Sequence, residues 1–204
     1  MEKIFETPGT VRLHVQNEVG LVAVTATRTE ETVVWLEAHT PGAEELVERA
    51  TVECRPSGRR HLVVVKVPKQ GLGGRFIRRN PVTVRVDLPE GSDVTVATGS
   101  ADVEVTGPIG AADFTTASGD VVADDVAANL TARSASGGLT VGAVGGDLKV
   151  QTASGDLRCS SVAIANSRVQ VSWNSALPSD WYCLIRHVVG AAAICEAAGC
   201  DTKP

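Results

Sequence analysis

Asp102, Asp120, Asp147 and Asp156 are separated by multiples of nine residues. Carboxylates so spaced along a repeating chain could stack into a ladder of oxygen ligands, and calcium takes about six to eight such oxygens. The calcium-binding β-rolls that share a nine-residue step need Gly-Gly-x-Gly-x-Asp, however. Here each Asp sits directly against the apolar residue that starts a strand, and Gly138 breaks one column. The pattern predicts turn-forming aspartates and no metal site. Cys183, His187, Cys195 and Cys200 are the remaining metal candidates. They lack the paired Cys-x2-Cys spacing that helps bring four ligands to ~2.0–2.3 Å from zinc.

Gly71-Leu72-Gly73-Gly74 offers glycines to a phosphate, but no Lys-Ser/Thr follows. Arg75, Arg78 and Arg79 behind it could touch phosphate or sugar acids, and read better as a solvated loop. For acyl chemistry there is no Gly-x-Ser-x-Gly, and His14, His39, His61 and His187 have no convincing Asp and Ser companions. His14 and His61 fall in strand patterns and read as structural. The expectation is a protein with no catalytic residue and no cofactor.

What positions these residues is a repeat. Ala117-Ser118-Gly119, Ala135-Ser136-Gly137 and Ala153-Ser154-Gly155 recur at a step of 18 residues. An inner step of nine links Asp120-Val121, Asn129-Leu130, Gly138-Leu139, Asp147-Leu148 and Asp156-Leu157. Each pair opens a short alternation, such as Val121/Ala123 or Leu139/Val141, that puts apolar side chains on one face of a strand. Gly, Ser, Asn and Asp then supply the corner. One nine is a strand plus a corner, and two make a coil. Fixed-period similarity of this kind marks a stacked architecture. Val103, Val121, Leu139 and Leu157 form one predicted inward column, and Val105, Ala123, Val141 and Cys159 the next.

Upstream, residues 1–40 alternate at Val11/Leu13/Val15, Val19 to Val24 and Val33 to Leu36, and read as three antiparallel-type strands. Leu46, Val47 and Ala50, behind Glu44 and Glu45, predict one short helix. The fold class is therefore mainly all-β. An antiparallel amino-terminal cap with one helix spans 1–90, and a parallel β-solenoid of 18-residue coils spans 91–172. Residues 173–204 form an atypical tail or cap. There the place of Ser-Gly-Asp is taken by Ser172-Trp173-Asn174, and three of the five Cys cluster. An altered reading frame, a capping segment and a functional tail all fit that composition.

The order of parts resembles the bacterial putative-adhesin family built on a single-stranded β-helix, domain of unknown function 4097. The resemblance is carried by Phe5-Glu6-Thr7-Pro8-Gly9, by Val82-Thr83-Val84 with Asp87 to Ser92, and by Thr116 to Val121 and Thr152 to Leu157. It covers about residues 4–172 and implies a β-solenoid and an adhesion role, with no catalytic residues.

A net charge of −5 gives no reason to expect nucleic acid or an acidic membrane as partner. No apolar run approaches the ~20 residues of a membrane span, and no secretory signal is visible, so the chain reads as cytoplasmic. A reducing cytosol disfavours disulfides. The expected role is a binding module for a protein or a glycan. A polysaccharide-acting β-helix enzyme is the alternative, but it would need charged residues clustered on a coil face, whereas the exposed columns read mainly as Thr, Ser and Ala. A hexapeptide acyltransferase would need an inner period of six, not nine. A third reading is a homo-oligomer stacked through the solenoid ends.

Overall fold

A computed structural model describes residues 1–69 and 80–163, together with the backbone of strands at 169–173, 183–185, 188–189 and 194–195. The loop candidates Gly71 to Arg79 lie outside the described residues, as do His187 and Cys200. Cys183 and Cys195 fall on described strands, though their side chains do not enter the description.

The chain is mostly strand. β1 (Glu2–Glu6), β2 (Val11–Asn17), β3 (Gly20–Thr27) and β4 (Glu31–Ala38) precede the helix α1 (Pro41–Glu48). Thr40 caps α1, its side chain accepting from the Ala43 N–H, and Pro41 supplies the helical φ at the first position. β5 (Thr51–Ser57), β6 (Arg60–Lys66) and β7 (Val82–Pro89) follow. The repeat region supplies β8 (Asp93–Thr98), β9 (Asp102–Thr106), β10 (Ala112–Thr116), β11 (Val121–Ala123), β12 (Leu130–Ser134), β13 (Leu139–Val144), β14 (Leu148–Thr152) and β15 (Leu157–Ala163). β16 (Val169–Trp173), β17 (Cys183–Ile185), β18 (Val188–Val189) and β19 (Ile194–Cys195) complete the described strands.

From β7 to β17 consecutive strands alternate between two sheets. One runs β1-β4-β7-β3-β9-β11-β13-β15-β17, with β18 also on β15; the other runs β19-β16-β14-β12-β10-β8-β2-β6-β5. We call them the first and second sheet. Val103, Val121, Leu139 and Leu157 pair in parallel, each 18 residues from the next. Val94, Ala112, Leu130 and Leu148 do the same in the second sheet. All eight are buried. Between the sheets lies a core of Val, Leu and Ala, with Phe114 its largest fully buried side chain. Ala132 is the partner of Phe114 in the next coil, so small follows large along that column.

The amino-terminal strands differ from the antiparallel reading. β2 is parallel to β6 and β8, and β3 is parallel to β7 and β9. Of the three strands read from residues 1–40, only β4 is antiparallel to its neighbours β1 and β7. The turn from Asn17 to Gly20 is not a hairpin but a corner, handing the chain from the second sheet to the first. Period-2 alternation is the same for both strand senses, so it reports the buried face and not the neighbour. The antiparallel elements are β1 and β4 at the end of one sheet and β5 at the end of the other. Lys3 Nζ on β1 donates to the Val52 carbonyl of β5 at 2.9 Å, joining the two sheet edges. The helix α1 packs on β4 and β7 and adds Leu46 and Val47 to the core.

At the other end the register lengthens. Leu148 pairs with Val169, Leu157 with Cys183 and Gln170 with Ile194, so the step rises from 18 to 21, 26 and 24. Trp173 accordingly pairs with Thr152 and does not fall on the column of Gly155. Parallel pairing also runs on past residue 172 through β17, β18 and β19.

Leu139 is 5% exposed, while its neighbour Thr140 faces outward. Leu139→Asp would bury an unpaired charge at several kcal/mol, whereas Thr140→Asp should shift stability by less than ~1 kcal/mol. Urea denaturation of both variants checks the register. Equal losses would contradict it.

Candidate functional site

The aspartates read as turn formers have a more specific task. Asp102 Oδ1 accepts from the Asp120 N–H at 2.9 Å, and Asp120 Oδ1 from the Gly138 N–H at 2.8 Å. Asp93 accepts from Ala111 at 3.0 Å, Asp125 from Ala143 at 3.1 Å and Asn129 from Asp147 at 2.9 Å. Every bond spans 18 residues. Each acceptor directly precedes a buried apolar residue (Val94, Val103, Val121, Val126 or Leu130). These side chains stitch one coil to the next. Sequence reading missed Asp93 and Asp125 in this role; the available signal was an Asp or Asn immediately before an inward residue. Among the described residues, no three or more His, Cys, Asp or Glu gather as metal ligands.

The Ala-Ser-Gly corners are equally occupied. A Cβ on Gly119, Gly137 or Gly155 would overlap the carbonyl oxygen of Ala101, Gly119 or Gly137 in the preceding coil. Ser136 Oγ and Ser154 Oγ donate to the carbonyls of Ala117 and Ala135 at 3.3 and 3.2 Å. Inside the corner, Thr116 Oγ1 and Thr152 Oγ1 accept from the Gly119 and Gly155 N–H groups at 2.9 and 2.8 Å.

The remaining repeat positions are the outward columns. In the coils they hold Thr95, Thr115, Thr131 and Thr140, in line with the expected Thr, Ser and Ala, together with charged residues such as Glu104, Arg133 and Lys149, and the amino-terminal strands add charge of opposite sign to the two sheets. The first sheet presents Glu2, Glu6, Glu31, Glu37, Asp87, Asp102 and Glu104 against Arg85 and Arg158. The second presents Arg12, Arg55, Lys66, Arg133 and Lys149 against Glu53, Asp93 and Asp113. The three anions of the second sheet are paired, Glu53 with Arg55, Asp93 with Arg60 and Asp113 with Arg133. Arg12, Lys66 and Lys149 make no ion pair among the described residues, which leaves that face positive. Ser136 and Ser154 sit at corners and Thr95, Thr131 and Thr140 on outward strand positions; pairing strands into sheets is what lines up the charges.

Each face carries a shallow groove. On the first sheet a groove of about 430 Å³ is lined by Asp120, Val122, Ser136, Gly138, Thr140, Ser154, Asp156 and Arg158. On the second, one of about 360 Å³ is lined by Arg12, His14, Asp93, Thr95, Asp113, Asn129 and Thr131. His14, read as structural, is thus exposed on the outer face. His39 Nε2 shares a 2.8 Å hydrogen bond with Thr83 Oγ1, and His61 Nδ1 is buried with no hydrogen-bond partner among the described residues. Cys159 lies in the core beneath its column, and burial pushes its thiol, like that of Cys54, up from the ordinary range.

Stacked parallel strands, corners consumed by inter-coil bonds and outward columns facing solvent define a repeat protein with surface grooves. A family model for Toastrack, DUF4097, matches residues 50–175, and the chain belongs to that family. Among solved structures, the chain is similar to a putative cell adhesion protein from Clostridium sporogenes. Identity there is 10%, covering 78% of this chain and 98% of the other, with a TM-score of 0.45. It is also similar to a putative adhesin from Parabacteroides distasonis, with 11% identity over 85% of this chain and 78% of the other and a TM-score of 0.44. A putative lipid binding protein from the same species matches at 14% identity over 84% and 81% of the two chains, with a TM-score of 0.35. Comparison with curated proteins gives no match. No helix among the described residues is long and apolar enough to cross a membrane.

Gly137 and Gly138 separate corner from groove. Gly137→Ala should lose about 1–3 kcal/mol by overpacking. Gly138→Ala should be nearly neutral, because its Cβ would come no closer than 3.4 Å to any neighbour. Thermal melts of the pair check this. Alkylation at pH 8 followed by site-resolved mass spectrometry should label Cys54 well before Cys159, because Cys54 is only half-buried whereas Cys159 is enclosed in the core.

Proposed function

We propose that this chain is a non-catalytic β-solenoid of 18-residue coils that binds a glycan or a protein through its outward columns. One observation carries the reading: inward positions are filled by the core and corner positions by inter-coil hydrogen bonds, while most outward positions serve neither, and the two sheets carry net charge of opposite sign. A flat, preorganised surface loses little conformational freedom when a partner docks. The family and the adhesin-like names of its structural neighbours agree with a binding role.

The test is a glycan microarray probed with the full chain and with one charge reversal on each face, Glu104→Lys and Lys149→Glu. Both residues point outward, so both variants should fold. Retention of a defined glycan class, reduced at least tenfold by one reversal and not by the other, is the expected result. Retention that neither variant alters, or hydrolysis of the arrayed glycans, would overturn the reading.

Assembly through coil ends is a second reading, and the cap restricts it. At the amino-terminal end β1, β4, β5 and α1 flank the parallel stack, so this reading places the pairing at the other end. Pairing through one end alone gives a closed two-fold dimer and no filament. Light scattering over a hundredfold concentration range should then show nothing larger than a dimer.

A further inference from the structure

The Asp column of the first sheet reads Asp102, Asp120, Gly138, Asp156. Gly138 breaks that column, as Ala111 breaks the second sheet's column of Asp93, Asn129 and Asp147, and no close backbone contact requires a glycine there. Its φ is not in the left-handed range, and a Cβ there would meet only Asp120 Oδ1 at 3.4 Å and the Asp156 carbonyl at 3.7 Å. Gly119, Gly137 and Gly155 must be glycine; Gly138 need not be. A departure from local consistency that the fold does not require is where function is expected.

Removing that side chain opens the groove of about 430 Å³ described above, within the range of small-molecule sites. Its walls are rich in acceptors. Asp120 uses one carboxylate oxygen on the Gly138 N–H, which leaves the other free. Ser136 and Ser154 point their hydroxyl protons back at the preceding coil and offer lone pairs outward. Asp156 holds Arg158 at 3.3 Å, which places guanidinium donors at the groove's far side. Val122, 47% exposed, pairs with Thr140 and adds an apolar floor beside it.

Asp120 and Asp156 lie two strand spacings apart, roughly 10 Å. One calcium ion, at about 2.3–2.6 Å from each ligand, cannot touch both. The carboxylates also repel an anionic ligand. What fits acceptors on two sides, a donor at one end and an apolar floor is a ring bearing several hydroxyls and no acid.

Resting on the binding role proposed above, we infer that the Gly138 notch is a subsite for an uncharged hexopyranose unit of a polysaccharide. Ring hydroxyls donate to Asp120, Asp156, Ser136 and Ser154, and a C–H face rests on Val122.

The test is amide NMR of the full chain titrated separately with neutral hexasaccharides (gluco-, manno- and galacto-configured), a uronate hexasaccharide and an oligolysine peptide. One or more neutral sugars should shift the amides of residues 120–122, 136–140 and 154–158, while the uronate should not. Gly138→Asp rebuilds the Asp column, so it should keep the wild-type melting temperature and weaken that sugar at least tenfold. Thr140→Val, on an exposed strand position, gives a second variant expected to weaken binding with the fold intact. Shifts at these amides from the uronate or from oligolysine would overturn the assignment. So would no shift from any neutral sugar, or undiminished affinity in both variants. A sugar that shifts only the amides of the second sheet would refute the notch and leave the binding role standing.

Discussion

At the corners of the stack, backbone rests directly on backbone. The carbonyl of Ala101 occupies the space where a Cβ of Gly119 would sit, Gly119 does the same to Gly137, and Gly137 to Gly155. This contact demands glycine at a step of 18 and keeps successive coils in register. The parallel hydrogen bonds of both sheets follow from it. A slip of one residue would turn Val121, Leu139 and Leu157 out to solvent and bring Val122, Thr140 and Arg158 inward. Asp and Asn side chains then reinforce the register by accepting from the backbone one coil on.

That constraint divides the residues of each coil by task. Inward positions are held by packing, because even one buried charge would outweigh several good contacts. Corner positions are held by the approach of neighbouring backbones and by their hydrogen bonds. Outward positions meet neither demand, and surface substitutions there are usually worth only ~0.5 kcal/mol. They can therefore change with the partner while the stack stays the same. The exposed ion pairs Arg133–Asp113 and Arg158–Asp156 add little stability and mainly shape the local field.

Much of the stack was legible beforehand. The Ala-Ser-Gly spacing and the alternation after each Asp were enough to align Val103, Val121, Leu139 and Leu157 with the partners they have. The strand sense of β2 and β3 was not. Val11/Leu13/Val15 reports a buried face, and β6 and β8, which lie on either side of that strand, are distant in sequence. The longer step to Val169 escaped too, since a fixed period cannot register added residues. As for the site, Gly138 was visible as a gap in a column. That the gap is a groove was not, because its walls come from three coils.

Short-range spacing along one chain sets what repeats: the step of 18, the inward columns and the glycine corners. The tertiary structure decided what faces what. Only with the two sheets assembled do Glu37, Asp87 and Glu104 share a face, and Arg12, Arg133 and Lys149 the other. Surface charge and groove shape belong to neighbours across strands, about 4.8 Å apart in space and 18 or more residues apart in sequence.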